Sequence, residues 1–216
     1  MENQNLTEEA RQNLRQDYLP KLKLPLWQRK DMFCMNTDTV LLGEQMVVRK
    51  GESVLDLGCN NGALLLYASR FSPGSLTGVD LLPQALALAA ENMRINGLEA
   101  ELICADLAEF RHLPFDVIVC NPPYIPSGDI PGLDVSVRDY EPHSALDGGA
   151  DGLDFYRSIA SRWGTALRLG GGLLFEVGIG QAPDVEYILA QNGFEAIQTH
   201  RDTQGIWRVV EGTLNT

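Results

Sequence analysis

The chain has 216 residues, 44% of them hydrophobic, and a net charge of −12 from 17 basic and 29 acidic side chains. That length fits one well-filled domain, and no apolar run is long enough to cross a bilayer. A surface this acidic repels a phosphate backbone on average, which counts against extended nucleic-acid binding.

The first ten residues are polar and acidic, unlike a secretory signal or a mitochondrial presequence, so a cytoplasmic location is expected. Leu6, Ala10 and Leu14 recur every four residues behind a possible Asn5/Glu8 capping box, which predicts a short amphipathic helix over 5–18. Pro20 and Pro25 punctuate a linker reaching about Phe33. The basic residues Lys21, Lys23, Arg29 and Lys30 in it read either as a solvated linker or as a substrate-docking patch. A second helix is expected from Thr37 to Val48. Residues 1–36 are thus read as a short helix and linker, and residues 37–216 as the main domain.

From Ser53 onward, short apolar runs alternate with helical stretches. The runs are 54–57, 76–80, 102–104, 115–120 and 173–177, followed by two around 195–199 and 206–210. Helices are expected between Pro83 and Gly97 (Leu86, Ala90 and Met93 on one face), over the span marked by Leu153, Tyr156, Ala160, Trp163 and Leu167, and around Val185, Ile188 and Leu189. Near-continuous apolar strands interleaved with helices imply a mostly parallel sheet covered on both faces. The last two strands are separated only by Asp202-Thr203-Gln204-Gly205 and should form an antiparallel hairpin. The fold class expected is therefore α/β, a doubly wound, Rossmann-like sheet of seven strands of the class I methyltransferase kind.

The run Asp56-Leu57-Gly58-Cys59-Asn60-Asn61-Gly62 follows the first strand of that sheet, where ligands of open α/β sheets bind. Gly58 lets the backbone approach a ligand, and Gly62 lets the next helix start close to the sheet. Asn60 stands where a further glycine is common, and asparagine tolerates positive φ. Asp80 ends the second strand, placed to accept hydrogen bonds from both hydroxyls of an adenosine ribose. Asp106 is placed for the adenine amino group, with Leu107 against the ring. A nicotinamide dinucleotide is a rival ligand, but the G-x-G-x-x-G spacing is missing. S-adenosylmethionine (SAM) has no pyrophosphate and does not need it.

Asn121-Pro122-Pro123-Tyr124 directly follows the fourth strand, at the same end of the sheet. An amide or aromatic amine nitrogen has a delocalised lone pair and is a poor nucleophile. Two oxygens accepting its N–H bonds, the Asn121 side chain and the Pro122 carbonyl, would return electron density to it, and Tyr124 can stack on the planar group. Asn121 to Tyr124 are thus the expected catalytic and substrate-binding residues of an N-methyltransferase. Cys34, Cys59, Cys104 and Cys120 contain no C-x-x-C pair, and the spacing of His112, His143 and His200 matches no metal motif. Three of the cysteines fall at or near strand ends, where burial is expected.

With these residues in view, the chain resembles the HemK/PrmC group of protein-glutamine methyltransferases, which act on the Gly-Gly-Gln loop of peptide-chain release factors. The resemblance runs from about Thr37 to the C-terminus through 121–126, 140–146, 151–156, Glu176-Val177-Gly178 with Gln181, and 202–209. It implies SAM contacts at 58–62, Asp80, Leu107 and Asn121, a glutamine held by Asn121 to Tyr124, and a release factor as partner. The loop 125–152 is then a substrate-facing lid. The family's helical N-terminal domain has no counterpart here beyond the short helix. Phe33 to Leu42 and the loop asparagines look more like bacterial methyltransferases of the tRNA adenine amine, and Thr39 in that segment is expected to reach the SAM carboxylate. Adenine methylation in nucleic acid is the alternative on this reading.

Overall fold

A computed structural model describes residues 13–106, 114–138 and 142–215. The chain opens with a two-stranded antiparallel ribbon, β1 (Leu14–Tyr18) and β2 (Pro25–Arg29). The helix expected over 5–18 is thus a strand in its last five residues, and its first part lies outside the described residues. The reason is tertiary: Leu19 and Leu26, on either side of the turn, are fully buried in the core with Leu42, Met46 and Tyr67. What reads as a proline-punctuated linker is a packed ribbon.

Helix α1 (Thr37–Gln45) follows, capped by Asn36, whose side chain accepts from the Asp38 and Thr39 amides. Then come β3 (Ser53–Leu57), α2 (Ala63–Ser69), β4 (Ser75–Asp80), α3 (Pro83–Ile95), β5 (Glu101–Cys104) and β6 (Phe115–Cys120). Short helices α4 (Val135–Arg138) and α5 (His143–Leu146) lie in the long loop. They are followed by α6 (Asp154–Trp163), β7 (Leu167–Glu176), α7 (Ala182–Gln191), β8 (Phe194–Arg201) and β9 (Trp207–Leu214). Leu167, expected to end a helix, instead opens β7, because Gly164–Ala166 tightens into a 3-10 turn after Trp163. On α3 the buried residues are Ala85, Leu86, Leu88, Ala89, Asn92 and Met93, and Ala90 is exposed.

The sheet order is β5-β4-β3-β6-β7-β9-β8. β5, β4, β3, β6 and β7 run parallel, and β9 pairs antiparallel with both β7 and β8, forming the expected terminal hairpin. Alternation along the central strands sends Leu55, Leu57, Ile118, Cys120 and Phe175 to one face against α6 and α7. It sends Val54, Val117, Val119 and Leu174 to the other, against α1, α2, α3 and the ribbon. Burial of each such side chain contributes about 1.5–3 kcal/mol, so both faces are held and the carboxyl ends of β3, β4 and β6 stand in fixed register. Among the described residues no helix is long and apolar enough to cross a membrane.

Candidate active site

The β3–α2 turn is built by backbone conformations that few residues tolerate. Gly58 has φ +75°, and a Cβ there would meet nothing within 4 Å, so its open side faces the cleft. Asn60 takes φ +44°, as expected of asparagine in a glycine place. Its amide donates to Asp80 Oδ2 (2.9 Å) and its side-chain nitrogen to the Phe33 carbonyl (2.7 Å). Gly62 differs from expectation in what it approaches: a Cβ would press on Ala89 and Met93 of α3, at 3.3 Å each, rather than on the sheet.

Asp80 accepts two backbone amides, Asn60 on one oxygen and Leu82 on the other (2.9 Å). Its carboxylate is therefore held rigid at the mouth of β4 while keeping free lone pairs. Asp56 lies behind the turn, 1% exposed, with no hydrogen-bond partner on either oxygen. Burial, then the nearby Asp80 charge, pushes its carboxyl well above the ordinary carboxylate range.

A cleft of about 570 Å³ opens at this end of the sheet, within the size range of small-molecule sites. Gly58, Asn60, Asp80 and Asp106 line one side, and Asn121, Pro122, Pro123 and Tyr124 the other. The structure thus brings the turn, the two acids and the tetrapeptide together. Thr39, Asp56, Cys59 and Asn61 are buried behind the wall, and neither they nor Gly62 line the cleft. Thr39 instead gives both its amide and its hydroxyl to Asn36 Oδ1 (2.8 and 3.1 Å), and it is Asn36 that reaches the cleft. Leu107, Tyr140 and Glu141 lie outside the described residues.

Several lining residues lie outside both the glycine turn and the tetrapeptide. Met32 and Phe33 come from the segment after the ribbon, Leu82 and Ala85 from the start of α3, Leu146 from α5 within the long loop, and Phe155 from α6. Met32 and Leu82 stand in irregular segments and Ala85 in a helix whose periodicity reports only the core, so no pattern singles them out, while Phe33, Leu146 and Phe155 fall within segments that carry the resemblances. The described residues of the loop 125–152 fold back on the tetrapeptide. The Ile125 amide donates to the Leu146 carbonyl (3.0 Å), the Gly148 amide to Ile125 (2.8 Å) and the Ser127 amide to Gly149 (2.9 Å). Gln181 Nε2 donates to the Tyr124 carbonyl (2.9 Å) and Gln181 Oε1 accepts from the Gly178 amide (2.9 Å), pinning the end of the tetrapeptide to β7's exit.

Beneath Tyr124 sits a charged cluster drawn from three distant segments. Arg208 of β9 contacts Asp38 of α1 (2.5 Å), the Tyr124 hydroxyl (3.3 Å) and Glu176 of β7 (3.8 Å), with its guanidinium 5.7 Å from the Tyr124 ring centre. Glu176 is 0% exposed and is pushed up to about 8, mainly by desolvation and then by the Asp38 charge. Burial, with Glu176 nearby, raises the Tyr124 hydroxyl.

The other features singled out in the sequence do not join this site. His143 faces Asp147 (3.8 Å), and His200 bonds Glu211 (2.8 Å); His112 lies outside the described residues. No group of three His, Cys, Asp or Glu among the described residues could hold a metal. Cys59 and Cys120 are buried as expected, but Cys104 is exposed, because β5 is the sheet's edge strand. In the basic cluster, Lys21 pairs with Glu44 (2.6 Å) and Arg29 with Asp31 (2.5 Å).

A seven-stranded sheet of this order, with a glycine turn after β3, an acid ending β4 and Asn-Pro-Pro-Tyr after β6, defines a class I SAM-dependent methyltransferase fold. The methyltransferase small domain pattern matches residues 23–130. The release factor glutamine methyltransferase of Geobacter sulfurreducens is 40% identical over 181 residues, 82% of this chain and 64% of that protein. That of Clostridium acetobutylicum is 35% identical, covering 84% of this chain and 67% of its own length. The crystal structure of a release factor-specific protein-(glutamine-N5) methyltransferase from Alicyclobacillus acidocaldarius is 26% identical. It superposes with a TM-score of 0.50 over 84% of this chain and 94% of that one. The chain belongs to the release factor glutamine methyltransferase family, and it spans less than two thirds of the Geobacter protein's length.

SAM is the cofactor of this family, and the residues present suit it. Asp80 puts a carboxylate on the cleft wall beside the turn, which matches a ligand carrying positive charge. The doubly anchored Asp80 suits a diol, and the apolar wall of Leu82, Ala85 and Ala105 suits a flat base.

Proposed function

We propose that this chain is a cytoplasmic N-methyltransferase acting on the side-chain amide of a glutamine in a peptide-chain release factor. The observation that carries the reading is the position of Asn121 to Tyr124 across the cleft from Gly58 and Asp80. Gly58, Asn60, Asp80, Asp106 and Asn121 hold the cofactor on this reading, and Thr39, Asp56, Cys59, Asn61 and Gly62 shape the wall behind them. Bound SAM supplies a methyl group made electrophilic by its sulfonium.

The chain's own contribution is alignment and polarisation. Asn121 Oδ1 and the Pro122 carbonyl accept the two N–H bonds of the glutamine amide, orienting its nitrogen lone pair along the cleft. Pro122 has no N–H and a fixed φ, so its carbonyl keeps one direction. The Tyr124 ring covers the amide plane, and the folded-back loop excludes water. Good alignment alone is worth roughly 7–11 kcal/mol of barrier, and a preorganised polar contact about 10²–10³-fold in rate. No strong base is required, since the proton becomes acidic only as the new C–N bond forms.

The test is incubation with methyl-labelled SAM and, separately, release factors, total tRNA and DNA, beside an Asn121→Ala control. Label is expected in release factor glutamine and reduced by about 10²-fold or more in the control. Label entering only tRNA, through Asn121, would overturn the protein substrate.

A further inference from the structure

We infer that Glu176 is a positioning residue: its carboxylate takes an N–H of the Asn121 amide from behind, so that the Asn121 oxygen is the end presented to the acceptor. This rests on the N-methyltransferase reading and adds a residue to it.

The register of the sheet puts the two side by side. Cys120 of β6 pairs with Phe175 of β7, so the next residues, Asn121 and Glu176, leave neighbouring parallel strands at the same level. A side-chain amide has two ends of similar shape and opposite polarity. Turned the wrong way, Asn121 would present N–H to the acceptor's own N–H and the polarising contact would be lost. Something behind the amide must therefore discriminate its ends, and an acceptor-only group does so. Glu176 Oε2 is buried and has no hydrogen-bond partner, while Oε1 lies 3.5 Å from the Tyr124 hydroxyl. A buried carboxyl oxygen without a partner is costly unless a donor reaches it. The Asn121 amide stands close enough to favour the charged form of Glu176.

The surroundings set when the carboxylate is available. Asp38 on α1, Arg208 on β9, Tyr124 after β6, Tyr156 on α6 and Cys120 on β6 are the ionisable groups facing Glu176. Burial and Asp38 oppose ionisation, and Arg208 favours it, so the group titrates at about 8. Below that pH the acid proton can be donated to the Asn121 oxygen, which favours the turned amide. Above it Glu176 only accepts. Turnover should rise with pH through about 8.

The experiment compares the full chain with Glu176→Gln and Asp38→Asn, measuring kcat from pH 6.5 to 9.5 on whichever acceptor the parent labels, and SAM affinity by calorimetry. Glu176→Gln is expected to lower kcat by about tenfold or more and to flatten the rise, with SAM affinity within about twofold. Asp38→Asn removes the opposing charge and frees Arg208 for Glu176, so it should move the rise to lower pH. A second readout needs no turnover: the Asn121 side-chain 15N–1H signals, assigned by their loss in Asn121→Ala, should shift through pH 8 in the parent and not in Glu176→Gln. Parent-like kcat and pH profile in Glu176→Gln, or Asn121 signals that ignore pH in the parent, would overturn the inference. A parent that labels tRNA instead of release factor would overturn only the substrate.

Discussion

Asp56 is an acid held where an acid is expensive. Its carboxyl is raised well above its ordinary value by burial and by Asp80, so the folded chain keeps it protonated at pH values where the unfolded chain ionises it. The sign follows from linkage: a raised folded value contributes stability below the unfolded pKa, near 4, and that contribution is lost as pH rises towards the folded one. Replacing Asp56 with Asn removes this loss. The melting temperature of Asp56→Asn relative to the parent should therefore increase steadily from pH 4.5 to 7.5, by up to about 1.4 kcal/mol of stability per pH unit. Thermal unfolding of both proteins across that range checks this, and a difference that ignores pH would mean Asp56 ionises normally. At this scale the sequence was informative where a residue type answers a chemical need. Asn60 at positive φ, Asp80 at a strand's end and Asn121 before two prolines were all legible. Asp38, Arg208 and Glu176 were not legible as a group, because 170 residues of chain separate the Arg208–Asp38 pair and no spacing rule joins them.

Among the elements, the ribbon of β1 and β2 departs most from expectation. It docks on α3 through side chains of that helix. Asn92 is 0% exposed; it accepts from the Trp27 amide (2.7 Å) and donates to the Trp27 carbonyl and the Asn61 carbonyl (2.9 Å each). Asn96 donates to the Pro25 carbonyl (2.9 Å), and Gln28 Oε1 accepts from Met35 (2.6 Å) and Asn61 (3.3 Å). One buried asparagine thus ties the ribbon to the cofactor turn. Asn92→Ala breaks three hydrogen bonds and leaves the Trp27 amide unpaired, so it should cost about 2–4 kcal/mol. It should also speed hydrogen exchange over 25–36 and weaken SAM binding several-fold, since Met32, Phe33 and Asn36 line the cleft. Unchanged exchange there, measured by mass spectrometry, would refute the coupling. The strands and helices after Ser53 were readable because their periodicity comes from facing a core on one or both sides. The ribbon was unreadable because β1 buries no residue fully, β2 has only five residues, and its anchors sit on a helix about 65 residues later.

Over the whole molecule, the cleft exists only once segments from Met32 to Phe155 have converged, so ligand and fold are thermodynamically linked. SAM at about a hundred times its Kd should stabilise the chain by about 2.7 kcal/mol, raising the melting temperature by roughly 5–10 °C for a protein of this size. A thermal-shift titration beside a nicotinamide dinucleotide checks this; equal shifts from both would undo the cofactor assignment.

The way the ribbon is tied down has a further bearing. Asn92 and Asn96 grip main-chain atoms of Trp27 and Pro25, and main-chain atoms are the same whatever side chain they carry. The outward residues of the ribbon are therefore free to drift without undoing the knot. A ribbon held by its inward side chains and its main chain, leading into the segment that lines the cleft, can exchange one outward recognition surface for another while the chemistry beyond it stays untouched.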